Sequence, residues 1–290
     1  MESSIVLSRA QAWPLREARR AGRDRALASP DLGRSTVEVA LTPAGVTFPE
    51  GQRVSWRDVD TIDADDAGCF VVAQDQNENG QDATIKRIHV FSTTLNRPYS
   101  LMPTSGAPTI INSGFTMHRI VGIDPYEDTR RKIKAIAPIR GAVLDTVTGL
   151  GYTAIEAART ANRVVTVELD PAVLEVARYN PWSRALFEDP KIEQIVGDSY
   201  EVVPALPAES FARIIHDPPS FSLAGELYSG VYYRQLYRVL RRGGRLFHYV
   251  GNLESKQGHK VATGAMRRLH DAGFARVVRI PDAFGLVAYK

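Results

Sequence analysis

Four acidic residues punctuate the second half of this 290-residue chain where strands are expected to end: Asp145 in AVLDTV, Glu168 in VVTVEL, Asp198 in IVGDS and Asp217 in IIHDPPS. Gly149 and Gly151 follow Asp145 in TGLGYTA. Without a Cβ, the backbone there turns tightly and lets a ligand approach the unpaired N–H groups that open the next helix. The arrangement predicts a nucleotide-like ligand. GLGYTA also fits the G-x-G-x-x-A form of the dinucleotide fingerprint, so a nicotinamide nucleotide stands beside other adenosine ligands at this step. A carboxylate four positions before Gly149 repels a pyrophosphate and suits the ammonium of an amino-acid moiety. Glu168, 23 positions after Asp145, is placed to accept from both ribose hydroxyls; Asp198, 30 positions further on, is placed to accept from an adenine amino group. Helix N-capping is the competing account of each carboxylate, and Asp170 before Pro171 reads that way.

Those carboxylates need elements to carry them. From about Asp124 the pattern alternates strands with helical lengths, the signature of parallel βαβ units. The expected strands are AVLDTV, VVTVEL, IEQIVG, ARIIHD and RLFHYV, with a final pair at ARVVRIP and GLVAYK. TAIEAART, AVLEVARYN and GVYYRQLYRVLRR read as helices, the last closed by Gly243 and Gly244 as a C-cap. This is an α/β chain with a Rossmann-like doubly wound sheet, and its ligand belongs across the carboxyl ends of the strands. Residues 1–110 read as a small β-rich domain with a basic N-terminal helix. It contains the hairpin STVEVAL-TPAG-VTF, strands CFVVAQ and IKRIHVFS, a loop tip at Asn77, Asn79 and Gly80, and a boundary or return connection near Ser105. Residues 111–135 are expected to form a linker or lid over the pocket, and residues 136–290 the catalytic domain.

The run from Asp145 to Asp217 resembles a class I S-adenosylmethionine-dependent methyltransferase, and the likeness covers the chain from about residue 124 to the end. ARVVRIP and GLVAYK match that fold's terminal pair, with its antiparallel C-terminal strand. The segments DTVTGLGYTAIEAA, NPWSRAL, DPPSFSLAGELYS and GGRLFHYVGN resemble a group of predicted archaeal-type methyltransferases of unknown substrate. The resemblance implies S-adenosylmethionine as cofactor. Asp145, Gly149 and Gly151 would lie at its methionine end, Glu168 at the ribose and Asp198 at the adenine, with Thr146, Thr148, Leu169 and Ser199 as further cofactor-binding residues. One departure is that Val147 stands where the family's loop has its first glycine. Asp217-Pro-Pro-Ser-Phe is similar to the D/N-P-P-aromatic signature of enzymes that methylate planar nitrogens, with Ser220 inserted as in certain ribosomal RNA methyltransferases. There Asp217 and the Pro218 carbonyl would accept the N–H bonds of an amine while Phe221 stacks on its ring. The simpler account is a turn stiffened by two prolines. Pro219, Ser220, Glu226 and Tyr228 follow as substrate-side candidates, with His118 and Arg119 from the linker. A structural histidine is the competing account of His118, and His216 reads as packed or bonded within its strand end. Tyr228, Tyr232, Tyr233 and Tyr237 recur near helical spacing, which favours packing.

Composition bounds the rest. With 44% hydrophobic and 24% charged residues the chain is a folded globular protein, and no apolar run approaches the roughly 20 residues of a membrane span. A cytoplasmic location and no membrane partner are the expectation. The single cysteine, Cys69, excludes an internal disulfide and a multi-thiolate metal site, and no metal is expected. The net charge of +3 is mild, but Arg16, Arg19, Arg20, Arg23 and Arg25 form one basic cluster and Arg130, Arg131, Lys132 and Lys134 another; each suits either phosphate or plain solvent. These features lead to a methyltransferase acting on an amino or ring nitrogen of a nucleobase in RNA, with a small-molecule amine as the other acceptor class. The rival is an aminopropyltransferase of the spermidine-synthase type using decarboxylated S-adenosylmethionine. Its polyamine pocket would draw on Asp124, Glu127, Asp128 and Glu226. A third reading is a non-catalytic nucleic-acid-binding protein on a methyltransferase fold. The oligomeric state is left open, a homodimer included.

Overall fold

The computed structural model describes residues 5–73 and 84–290, so the expected turn at Asn77, Asn79 and Gly80 lies outside the described residues. The chain divides into two units, one of Met1–Pro125 with Glu175–Arg184, the other of Tyr126–Leu174 with Ala185–Lys290. Residues 111–135, expected as one linker, are shared between them.

The N-terminal unit runs β1 (Ile5–Ser8), α1 (Arg9–Arg20), β2 (Arg25–Ala28), β3 (Val37–Leu41), β4 (Gly45–Thr47), β5 (Arg53–Ser55), α2 (Trp56–Asp63), β6 (Cys69–Ala73), β7 (Thr84–Arg87), β8 (His89–Ser92), β9 (Arg97–Met102), β10 (Thr109–Asn112) and β11 (Phe115–Thr116). These strands form three antiparallel sheets, ordered β1-β6-β7, β2-β3-β4-β5 and β11-β10-β9-β8. The expected hairpin is β3 with β4, paired Leu41 to Val46. IKRIHVFS is two strands rather than one. Buried Ile88 donates its N–H to the Cys69 carbonyl and accepts from the Leu101 N–H, so the chain leaves one sheet for the next at that residue. The segment near Ser105 is a return connection, since β9 and β10 pair Met102 to Thr109. Cys69 is buried, and burial pushes its thiol up. The basic residues of α1 are largely engaged within the unit: Arg16 pairs with Asp60 at 2.7 Å and with Asp63, Arg20 with Glu17, and Arg19 lies 4.5 Å over the Trp56 ring.

The second unit carries α3 (Pro125–Ala135), β12 (Ala142–Asp145), α4 (Tyr152–Ala158), β13 (Arg163–Glu168), α5 (Pro171–Tyr179), α6 (Arg184–Glu188), β14 (Ile192–Val196), α7 (Ser199–Ala205), β15 (Phe211–His216), α8 (Gly230–Val239), β16 (Leu240–Tyr249), α9 (Lys256–Asp271), β17 (Arg276–Ile280) and β18 (Gly285–Tyr289). Its sheet has the order β14-β13-β12-β15-β16-β18-β17. The first five of these are parallel and β18 runs antiparallel between β16 and β17. This is the expected doubly wound fold. Strand order reverses between β12 and β15, which puts the tips of those two strands at the crevice where such sheets bind ligands. Leu144, Val165, Ile214 and Leu246 bury their strand faces against Tyr232, Tyr233, Leu236 and Leu269 from the helices.

The eighth helix stops at Val239, and Leu240–Arg242 belong to β16, where Leu240 pairs with Phe211. Gly243, at φ +72, lies inside that irregular strand and donates to the Lys290 carbonyl, so it caps nothing. The helix end is instead capped by Lys290, whose Nζ donates to the carbonyls of Tyr237 at 2.8 Å and Leu240 at 2.6 Å. Among the described residues, no helix is long and apolar enough to cross a membrane.

The tyrosines at helical spacing do pack: Tyr228, Tyr232 and Tyr233 are buried around His216 and His248 beneath the tip of β15. Tyr233 Oη donates to His248 Nε2 at 2.7 Å. Tyr233→Phe keeps the ring and leaves that nitrogen unpaired in the core, an expected loss of about 1–3 kcal/mol. Thermal melting checks this, with a fall of roughly 2–4 °C per kcal/mol for a domain of this size.

Candidate active site

Register decides which side chains meet. Asp145 on β12 pairs with Thr166 of β13 and Ile215 of β15, while Glu168 of β13 pairs with Val196 of β14. The order Asp198, Glu168, Asp145, Asp217 therefore runs across four neighbouring strand tips, with strands about 4.8 Å apart.

Asp145 is fully buried. Its Oδ2 accepts from Thr153 Oγ1 at 2.9 Å and Thr166 Oγ1 at 3.1 Å, and its Oδ1 has no partner. Burial pushes its carboxyl up to about 8 against those two hydroxyls, with the Asp217 charge adding to the rise. Because the Thr166 proton goes to Asp145, Thr148 Oγ1 is the donor in its 2.7 Å bond to Thr166 Oγ1. Thr146 is engaged elsewhere, 2.7 Å from His216 Nδ1. The glycine loop is as strained as its composition suggests. Gly149 has φ +54 and Gly151 φ +76, and a Cβ on Gly151 would sit 2.7 Å from Leu186.

Glu168 closes that loop by accepting from the Gly149 N–H at 2.9 Å through Oε2 and from the Asp170 N–H at 3.1 Å through Oε1. Burial nevertheless lifts its carboxyl to about 7. Each of its oxygens keeps a second lone pair. Leu169 beside it is half-exposed. Asp198 is the N-cap of the seventh helix, accepting from the Tyr200 N–H at 2.8 Å, so the capping account holds for one of its oxygens. Ser199 is buried and bonded to Tyr232.

Asp217 introduces a partner that the sequence reading placed in a basic surface run. Lys132 of the third helix is buried, with Nζ 2.6 Å from Asp217 Oδ2 and 2.9 Å from Asp128 Oδ2, and it lies 4.9 Å over the Tyr249 ring. Burial opposes its charge, the two carboxylates outweigh that, and its ammonium is held above its ordinary pKa. Asp217 is itself raised by burial against the pull of Lys132. Beyond it Pro218 is buried with an unbonded carbonyl, whereas the Pro219 carbonyl accepts from Tyr228 Oη at 3.0 Å. Phe221 is exposed and meets Tyr228 edge-on, Ser220 bonds Ser222, and Glu226 is exposed. His216 donates from Nε2 to the Leu227 carbonyl at 2.9 Å, so its Nδ1 accepts from Thr146, and burial holds it down to about 4. It is a neutral, fully bonded ring. His118 and Arg119 belong to the N-terminal unit, where His118 Nδ1 lies 2.9 Å from Thr109 Oγ1. Among the described residues, no cluster of His, Cys, Asp and Glu could hold a metal ion.

Over 229 residues the chain is 45% identical to the uncharacterized protein MJ1233 of Methanocaldococcus jannaschii, covering 78% of this chain and 79% of that one. The chain belongs to the family of that protein. Within it, residues 132–229 match the model of the family described as conserved hypothetical protein 95. A polyamine aminopropyltransferase of Aeropyrum pernix is 33% identical over 91 residues, 30% of this chain and 29% of that enzyme. The spermidine synthase of Thermotoga maritima superposes with a TM-score of 0.54 at 15% identity, over 75% of this chain and 80% of that one. The MJ1233 relative described here thus has a class I methyltransferase-type fold in a spermidine-synthase-like layout.

The orphaned Asp145 oxygen generates a test. A carboxyl whose folded pKa is about 8, against about 4 unfolded, binds more protons folded than unfolded between those values, so its penalty on stability grows as pH rises and is fully present above pH 8. Asp145→Asn, which cannot ionise, should gain in Tm relative to the parent from pH 5 to pH 8. A Tm difference independent of pH contradicts the raised pKa.

Proposed function

We propose that this chain is an S-adenosylmethionine-dependent methyltransferase acting on a planar nitrogen, an amino or ring nitrogen of a nucleobase in RNA. The observation that carries the reading is the Lys132–Asp217 contact. Asp217 already holds an ammonium 2.6 Å from Oδ2, which leaves Oδ1 and the Pro218 carbonyl as acceptors for the N–H bonds of a neutral amine. A second, cationic amine about 5 Å from Lys132 meets a repulsion of roughly 3 kcal/mol at an effective dielectric near 20.

The residues present fit the cofactor. The unpartnered Asp145 Oδ1, buried at the tip of β12, calls for a cation such as the methionine ammonium. Glu168 has acceptor capacity for ribose hydroxyls, Leu169 offers an apolar face to the adenine, and Asp198 keeps one oxygen for its amino group. When bound, S-adenosylmethionine supplies an electrophilic methyl group on a cationic sulfur. The chain's own task is placement: Asp217 and Pro218 hold the acceptor nitrogen by its N–H bonds, Phe221 stacks on its ring, and the buried prolyl backbone keeps water out. His216 has no free lone pair, so the proton released from nitrogen goes to Asp217 or to solvent.

Aminopropyl transfer is the second reading, favoured by the partial match to the Aeropyrum pernix enzyme. Against it, two of the four carboxylates expected to line a polyamine pocket already have cations: Glu127 pairs with Arg130 and Arg131, and Asp128 with Lys132. Titration calorimetry separates the readings. Preference for S-adenosylmethionine supports methyl transfer, preference for the decarboxylated form supports aminopropyl transfer, and silence toward both supports a non-catalytic protein. Asp217→Ala is expected to leave cofactor affinity within a few-fold while abolishing transfer. Glu168→Ala should weaken cofactor binding at least tenfold, and equal losses in the two variants would remove the role given to Asp217.

A further inference from the structure

A group of arginines without acidic partners lies at the other end of the same sheet. Arg213 of β15, Arg245 of β16, Tyr289 of β18 and Arg276 of β17 are cross-strand partners in direct register, so they form one row on one face near the amino ends of the parallel strands. The Tyr289 ring is flanked by both outer guanidiniums, Arg245 at 5.4 Å and Arg276 at 5.0 Å. Arg140, Arg241 and Arg242, all exposed, come to the same rim. Among the described residues, none of Arg140, Arg241, Arg242, Arg245 and Arg276 stands in an ion pair, and the bonds they make are to carbonyls, Arg241 to Arg140 and Arg245 to Ala137. Glu209, which precedes β15, pairs with Lys290.

We infer that this rim is a binding surface for the phosphate backbone of RNA. Five uncompensated guanidiniums repel one another and gain most from a polyanion, and a guanidinium fork matches phosphate oxygens in pairs. The guanidinium planes of Arg245 and Arg276 beside Tyr289 offer flat faces on which a base can stack, which an acidic peptide or an anionic membrane would not use. The row lies four residues along β15 from Asp217, about 13 Å away, so it grips RNA apart from the site of transfer. The inference deepens the proposed RNA substrate but stands on separate residues.

The test uses the whole protein and a fluorescent oligouridine of about 20 nucleotides, with affinity measured by anisotropy from about 50 to 200 mM salt. Neutralising four or five phosphates gives a slope of log K against log salt near −3. Arg242→Glu/Arg276→Glu should weaken binding at least tenfold and flatten the slope, with Tm and S-adenosylmethionine affinity unchanged. Tyr289→Leu should weaken binding less and leave the slope as it is. No binding at the lowest salt, equal binding by the charge-reversed protein, or capture of anionic vesicles in preference to RNA overturns the assignment. Loss of transfer with RNA binding intact would instead count against the proposed reaction.

Discussion

Four carboxylates on adjacent strand tips cannot all stay ionised and dry, and each is relieved differently. Asp198 reaches water and caps a helix. Asp217 takes the Lys132 ammonium, which Asp128 anchors from behind. Glu168 leans on the N–H groups of Gly149 and Asp170. Asp145 has two threonine hydroxyls and the nearby Val147 N–H, and its Oδ1 has no hydrogen-bond partner among the described residues. The consequence is a crevice poised to bind a cation, with the strongest unmet demand under the glycine loop.

Much of this architecture was legible because parallel strands announce themselves. Runs such as VVTVE and ARIIH are mostly apolar and do not alternate with polar residues, as expected of strands covered on both faces, and Gly149 and Gly151 sit where the backbone takes positive φ. What was hidden depended on distance along the chain. Lys132 reads as one more member of a basic run, because its partner Asp217 lies 85 residues away; the i, i+4 spacing of Asp128 and Lys132 was the available clue. LRRGGRL reads as a helix end and is a strand, because pairing of Leu240 with Phe211 outweighs the local signal of two glycines. The ninth helix gives a weak signal in the sequence because the face it buries, Gly258, Ala262, Ala265 and Leu269, is mostly small residues. Charge runs misled in the same way: the clusters on the first and third helices are largely paired, while the unpaired arginines come from segments far apart in sequence.

The sheet is thus electrically polarised along its strands, acidic at the carboxyl tips and basic at the amino rim. A parallel sheet makes this possible, since one end of every strand faces the same way. The acidic end favours a cation and disfavours phosphate, and the basic end does the reverse. An RNA held at the rim would therefore present to the crevice only what can tolerate negative charge, a base rather than a backbone.

The neutral floor under the Asp-Pro-Pro loop completes the argument about protons. His216 and His248 stack 4.6 Å apart, and burial holds both below their ordinary range. Charging either ring would place a cation next to the other and strand a proton where Thr146 or Tyr233 already donates. In the proposed reaction, a nitrogen that must shed a proton would find no base below it. Asp217 is the first carboxylate above that floor, and its raised pKa, offset by Lys132, suits it to take a proton and return it to water.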